Sequence, residues 1–210
     1  TRSGVSTSSL NPDDAVLLFS NEDEHISNVS VTTSNGQLFG DYFEEPSGIV
    51  TLAQPPQVTA QSGGDFIYTS LEPGNALKVQ YIEFIESEFG AEYNPKILAS
   101  GDTSKADGFI NTPGKFDNPT DIALAGDASR YIFVIDEAKD SLFQFNFAGF
   151  EGVQPPAATG ITKLQKVSFG GTGNGLTQFR NPTGVAYFDE ILYVADAGNG
   201  RVLRFKLTLD

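Results

Sequence analysis

Residues 181–207, NPTGVAYFDEILYVADAGNGRVLRFKL, decide the fold. Val185 and Tyr187, then Ile191 and Tyr193, then Val202, Leu203 and Phe205 lie in three short runs rich in β-branched and aromatic residues, the composition that pleated strands favour. Phe188-Asp189-Glu190 joins the first two runs. Ala197-Gly198-Asn199-Gly200 separates the second from the third with residues that tolerate positive φ. Pro182 precedes the first run, where its missing N–H does little harm to a ladder. The expectation is a small antiparallel meander.

The same template recurs upstream. Asn118-Pro119-Thr120-Asp121-Ile122-Ala123-Leu124 aligns with the first run, residues 131–136 (YIFVID) with the second, and Ser141-Leu142-Phe143-Gln144-Phe145 with the third. A further copy starts at Glu45-Pro46-Ser47-Gly48-Ile49-Val50 and continues through residues 65–70 and 76–81. A weaker one runs through residues 15–20 and 26–31. Residues 163–169 and 96–100 are candidates for an additional strand between copies. Residues 82–89 read as the strand before them running on into a loop, in preference to a helix. The total is about four strands per unit, the blade of an all-β, propeller-like fold with few blades or a partial set.

The entrance prolines are Pro46, Pro119 and Pro182, in steps of 73 and 63 residues, longer than the roughly 40–50 residues of a plain blade. The excess sits in residues 52–64, 103–115 and 149–160, whose Pro, Gly and Gln content is that of loops. Long loops on a rigid scaffold are either solvated connections or recognition elements, and both readings stay open for each.

The pattern Phe179, Asn181, Pro182, Gly184, Val185, Ala186, then Leu192 to Asp196, then Asn199, Arg201, Val202 and Phe205 resembles the NHL repeat of β-propellers. The unit at Pro119 keeps Phe116, Asn118 and Asp136 but has Asp121 for the glycine and Ser141 for the arginine. The unit at Pro46 keeps Phe43, Gly48 and Tyr68 and has Ser70 for the aspartate. The resemblance implies that Asp196 and Arg201 are architectural, the carboxylate accepting turn N–H groups and the arginine pairing with it. The same holds for Asp136 with Lys139. Some proteins of this kind bind RNA through a basic face, others hold zinc through several histidines or calcium through channel carboxylates.

Composition narrows these options. Lys+Arg 13 against Asp+Glu 27 gives a net charge of −14, which repels phosphate backbones and argues against nucleic acid as partner. Zero cysteines exclude disulfides and thiolate metal sites. The single histidine, His25, sits in Asn21-Glu22-Asp23-Glu24-His25, read as a solvated turn ahead of an acidic metal loop. The glycine-rich run 170–175 leads into Phe179-Arg180-Asn181-Pro182 and not into a helix, so it reads as a turn and not a phosphate cradle. Asn28-Val29-Ser30 fits a glycosylation acceptor. No nucleophile elbow, P-loop or dinucleotide fingerprint is present. No catalytic, cofactor-binding or metal-binding residue is singled out, and no cofactor is expected. The binding residues stay undefined.

Residues 1–12 read as a flexible linker and 13–210 as the repeat domain, which can form part of a longer propeller. The missing initial Met leads us to expect a processed or partial chain, with a signal or lipid anchor as candidate upstream feature. The function expected is a non-enzymatic scaffold or protein-binding subunit of an extracytoplasmic, membrane-associated bacterial assembly. The alternative is a metal-dependent propeller enzyme of lactonase or lyase type.

Overall fold

The computed structural model describes residues 15–19, 25–32, 38–39, 42–52, 64–88, 90–99 and 101–207. The expected linker 1–12 and most of the loop 52–64 lie outside them. Chain order begins with β1 (Leu17–Phe19), β2 (His25–Asn28), β3 (Val31–Thr32) and β4 (Leu38–Phe39). The first blade is β5 (Pro46–Thr51), β6 (Phe66–Ser70), β7 (Val79–Ser87) and β8 (Gly90–Lys96), each antiparallel to the next. The second is β9 (Pro119–Leu124), β10 (Ile132–Asp136), β11 (Ser141–Phe145) and β12 (Phe169–Gly170). The third is β13 (Pro182–Phe188), β14 (Ile191–Asp196) and β15 (Arg201–Lys206). The chain is all-β, a set of propeller blades.

Several boundaries correct the sequence reading. The third strand of the first blade starts at Val79, not Ala76, and continues to Ser87. Residues 82–87 are strand, as expected for a strand running on, with the turn reached only after Ser87. Phe84 alternates inward against Tyr93 of β8 and keeps the ladder going. The fourth strand is β8, which ends where the candidate 96–100 began. In the second blade the fourth strand is only Phe169–Gly170 of the candidate 163–169. The weak N-terminal copy supplies no four-stranded blade among the described residues: β1 pairs with β2 alone, and β3 joins the first blade in parallel with β8.

Alternation along the middle strands builds the cores between blades. Ile67, Val79 and Tyr81 of the first blade pack with Ile122, Ile132 and Val134 of the second. The opposite face of the second blade, Phe133, Ile135 and Leu142, packs on Val185, Leu192 and Val194 of the third. The far face of the first blade, Phe66, Tyr68 and Ile82, is covered by Val16, Val29, Val31 and Phe43. Each fully buried large side chain contributes about 2 kcal/mol.

The entrance strands β5, β9 and β13 lie side by side. Ser47 donates to the Pro119 carbonyl at 2.8 Å, and Thr120, one repeat later, donates to the Pro182 carbonyl at 3.2 Å. Asp121, the departure from the repeat glycine, fits because its neighbours are glycines. A Cβ on Gly48 would lie 2.7 Å from the Asp121 Cα. The Asp121 carboxylate then accepts the N–H of Val185 across the blades at 2.9 Å and that of Ile122 at 2.9 Å.

Candidate functional site: a groove at the rim of the second and third blades

Asp196 ends β14 fully buried. It accepts the backbone N–H of Arg180 at 2.7 Å, the side-chain amide of Asn199 at 2.8 Å and the Nε–H of Arg201 at 2.7 Å. The remaining guanidinium N–H groups donate to the carbonyls of Asn174, Gly175 and Gln178 at 2.8, 2.8 and 3.0 Å. Arg201 thus clips the glycine-rich run 170–175 onto the strand end, which makes that run a turn. Burial raises the Asp196 pKa, but the bonds from Asn199, Arg180 and Arg201 outweigh it and hold the carboxyl below its usual range.

One repeat earlier Asp136 accepts the N–H groups of Asp117, Asn118 and Lys139 at 2.7, 3.2 and 3.1 Å. The Lys139 ammonium does not reach it. It donates to the carbonyls of Gly114 and Lys115 at 3.2 and 2.8 Å and lies 3.5 Å from Asp117. The lysine clips its loop as Arg201 does, without the bond to the aspartate, because one ammonium cannot fork as a guanidinium can. Ser70, where the first blade lacks the aspartate, donates to the Glu44 carbonyl at 2.6 Å. Glu137 receives the side-chain amides of both repeat asparagines, Asn118 at 3.2 Å and Asn181 at 3.1 Å.

The two loops described in full are not simple solvated connections. Residues 103–115 and 149–160 are bound together by Ile110 N–H to Gly149 O and Glu151 N–H to Gly108 O, both at 2.8 Å. Ala99, Ala106, Phe109 and Phe150 form a small core beneath them. The carboxylate of Glu151, 1% exposed, is met by the Lys115 ammonium and by the Ser168 hydroxyl, which donates at 2.5 Å. Lys115 lies over the Phe143 ring, 5.0 Å from its centroid. In the second loop Gln154 and residues 156–160 stand out into solvent, as do residues 103–105, 107 and 112–114 of the first.

That tip borders a groove of about 310 Å³ between the loop and β15. Tyr131, Phe169 and Phe205 form its apolar floor, and Pro155 one wall. Gln144 and Gln165 also line it, and among the described residues their side-chain amides make no hydrogen bond. Among the described residues the third blade has three strands, and the groove lies at the outer edge of β15. On the side facing β14 the Leu207 N–H bonds to Glu190 O at 2.8 Å. By alternation the backbone groups of Val202, Arg204 and Lys206 point away from β14. An apolar floor, unpaired amides and a free strand edge suit an extended polypeptide.

The geometry of residues 179–205, with its entrance Asn-Pro, buried aspartate and clipping arginine, coincides with a match of that same segment to the NHL-repeat family model. This is an NHL repeat. The two upstream units repeat its strand order in the fold, while their sequences depart from the pattern at Asp121, Ser141 and Ser70. No curated protein matches the chain. Among solved structures it is similar to an auxiliary nutrient-binding protein from Bacteroides thetaiotaomicron VPI-5482, with TM-score 0.51 and 12% identity, covering 92% of this chain and 43% of that one. It is also similar to a chain of a nidogen/laminin complex, with TM-score 0.46 and 16% identity, covering 81% and 47%. The chain thus spans less than half the length of either. At these identities the first likeness speaks to fold alone.

A second concavity, lined by Leu124, Asp127, Tyr187 and Phe188, lies at the β13–β14 turn of the NHL repeat. The Tyr187 hydroxyl donates to Asp127. Burial and that bond push the tyrosine up to about 12. Among the described residues no three His, Asp or Glu side chains gather into a metal-holding group. His25 opens strand β2, and the rest of the acidic run, residues 21–24, lies outside the described residues. The loop 149–160 was visible in sequence as a candidate. Gln144, Gln165, Tyr131, Phe169 and Phe205 were not, since they read as ordinary strand residues until the fold brings their ends together.

Proposed function

We propose that this NHL-repeat chain is a non-enzymatic, protein-binding scaffold subunit of an extracytoplasmic, membrane-associated bacterial assembly, and that the rim groove takes an extended segment of the partner. The observation that carries this reading is the groove itself, with an apolar aromatic floor, two unpaired amides and an open strand edge in one place. The motif carboxylates support it from the other side. Asp136, Asp140 and Asp196 each accept backbone N–H groups and are engaged in holding blades and loops together. A nutrient-binding role described for the similar Bacteroides protein is in keeping with binding on this architecture. Nucleic acid is not the partner on this reading, because the net charge of −14 repels it.

The test is affinity purification of the chain from its native envelope fraction, alongside Gln154→Arg and Phe205→Glu variants, with metal analysis of the same samples. A defined complex lost in Phe205→Glu, whose fold is checked by melting, is the expected outcome. Stoichiometric tightly held calcium or zinc together with lactone or lyase turnover would sink the scaffold reading in favour of the enzyme. Recovery from the cytoplasm alone would remove the extracytoplasmic part.

A further inference from the structure

We infer that the concavity between the β9–β10 and β13–β14 turns is a second docking site, which takes a lysine or arginine side chain presented by a partner protein. The inference rests on the reading of the chain as a protein-binding scaffold but not on the rim groove.

The two turns belong to consecutive blades that pack on each other, and they are locked together. Glu190 N–H donates to the Tyr187 hydroxyl at 3.2 Å, and that hydroxyl donates to Asp127 in the turn of the preceding blade. The other oxygen of Asp127 accepts the N–H of Ser129 at 2.8 Å. The Tyr187 ring is stacked on Phe133, with centroids 6.0 Å and planes 11° apart. The position of each wall is thus fixed by the other. The concavity measures about 470 Å³, with Leu124 and Tyr187 as apolar lining and Asp127, Asp189 and Glu190 as charged lining. None of these three carboxylates makes an ion pair among the described residues. The bonds from Ser129 and Tyr187 hold the Asp127 carboxyl below its usual range, so its charge is present at neutral pH.

The chemistry of the occupant follows from this lining. Uncompensated negative charge beside an aromatic ring suits a cation. A bare divalent ion does not fit, since among the described residues no three His, Asp or Glu side chains gather closely enough to hold one. A cation on an apolar stem does fit. Its methylenes lie along Leu124 and Tyr187 while its charged end reaches the carboxylates. The β13–β14 turn adds a further mark. Asp189 and Glu190 have φ of 49° and 60°, the left-handed region where a two-residue hairpin ordinarily places Asn-Gly. The chain therefore sets two carboxylates at a corner whose backbone geometry favours neither. The net charge of −14 draws a cationic segment toward the site and repels a second copy.

Amide NMR of the full chain at moderate salt tests this, with a capped pentapeptide carrying one lysine between alanines as probe. The expected result is saturable shifts confined to residues 124–127 and 187–190, absent when norleucine replaces the lysine. An Asp189→Asn, Glu190→Gly double variant should bind the peptide about tenfold more weakly. It should melt no lower than the parent, because Asn-Gly suits the turn better, and that separates lost binding from a lost fold. Asp107→Asn, at an exposed carboxylate on the 103–115 loop, should leave the affinity unchanged. Shifts spread over the acidic surface, shifts that never saturate, or equal weakening in Asp107→Asn would overturn the inference, since charge attraction alone would then account for binding. The same saturable shifts from the norleucine peptide, or from calcium chloride without peptide, would overturn it in favour of an apolar or metal occupant. The titration makes no use of the complex tested through Phe205→Glu, so the two readings fail separately.

Discussion

Asp196 keeps its charge while fully buried because three donors compensate for lost water: the Asn199 amide, the Arg180 N–H and the Arg201 guanidinium. Its carboxyl pKa is depressed in the fold from an ordinary 3.8. The stabilisation is therefore fully present above the unfolded value and is lost as pH falls through the lower folded value. Acid unfolding followed by circular dichroism should show a shallower loss of stability below pH about 4 in Asp196→Asn than in the parent, on a lower baseline. Arg201→Ala should lower the urea unfolding free energy by about 2 kcal/mol, with Arg201→Lys restoring only part because the ammonium cannot serve the aspartate and three carbonyls together. The architectural role of both residues was legible in sequence. The carbonyls of Asn174, Gly175 and Gln178 that the arginine gathers were not, because loop backbone carries no sequence mark of its conformation.

Among the elements, the loops 103–115 and 149–160 teach the most. Their Gly and Pro content marks them as non-strand, and that is correct. It says nothing of the Phe109–Phe150 contact, centroids 5.4 Å apart, or of the buried Glu151 that joins them. Gly108 makes this possible, since a Cβ there would lie 1.9 Å from the Glu151 carboxylate. Lys115 is the closer and more buried of the two cations on this carboxylate, the other being Lys166 at 3.6 Å, so its removal leaves a buried charge only partly compensated. Lys115→Met should therefore destabilise by about 3 kcal/mol and raise hydrogen exchange in both loops. Glu151→Gln, which can still accept from Lys115 and Ser168, should lose only about 1 kcal/mol. Equal losses in the two variants would contradict the assignment of a buried ion pair. Strand content was legible wherever a short run of β-branched and aromatic residues stood between turn signals, as in β10 and β14. That β7 runs on was legible, but its end at Ser87 was not, because Glu83 and Glu86 fall on opposite faces and break the alternation toward the hairpin end.

At the scale of the molecule, charge and repetition act separately. The net charge of −14 governs long-range encounters. With Arg201 engaged in the fold, Arg204 and Lys206 are the cations of β15 left on the surface. The chain should accordingly retain no RNA in a filter-binding assay at moderate salt, and retention would show a basic site absent from the described residues. Repetition governs assembly, since each blade needs a neighbour on both faces to bury its alternate side chains.

The alternating apolar runs, the Asn-Pro entrances and the glycine-bearing turns were enough to establish an all-β chain of blades and to identify the NHL repeat. Those signals are local, set by backbone preference and by the period of two along a strand. Which surfaces remain open is a different kind of fact. The rim groove and the pairing of two distant loops around Glu151 arise from segments far apart in the chain. They depend on which elements become neighbours, which no local pattern encodes.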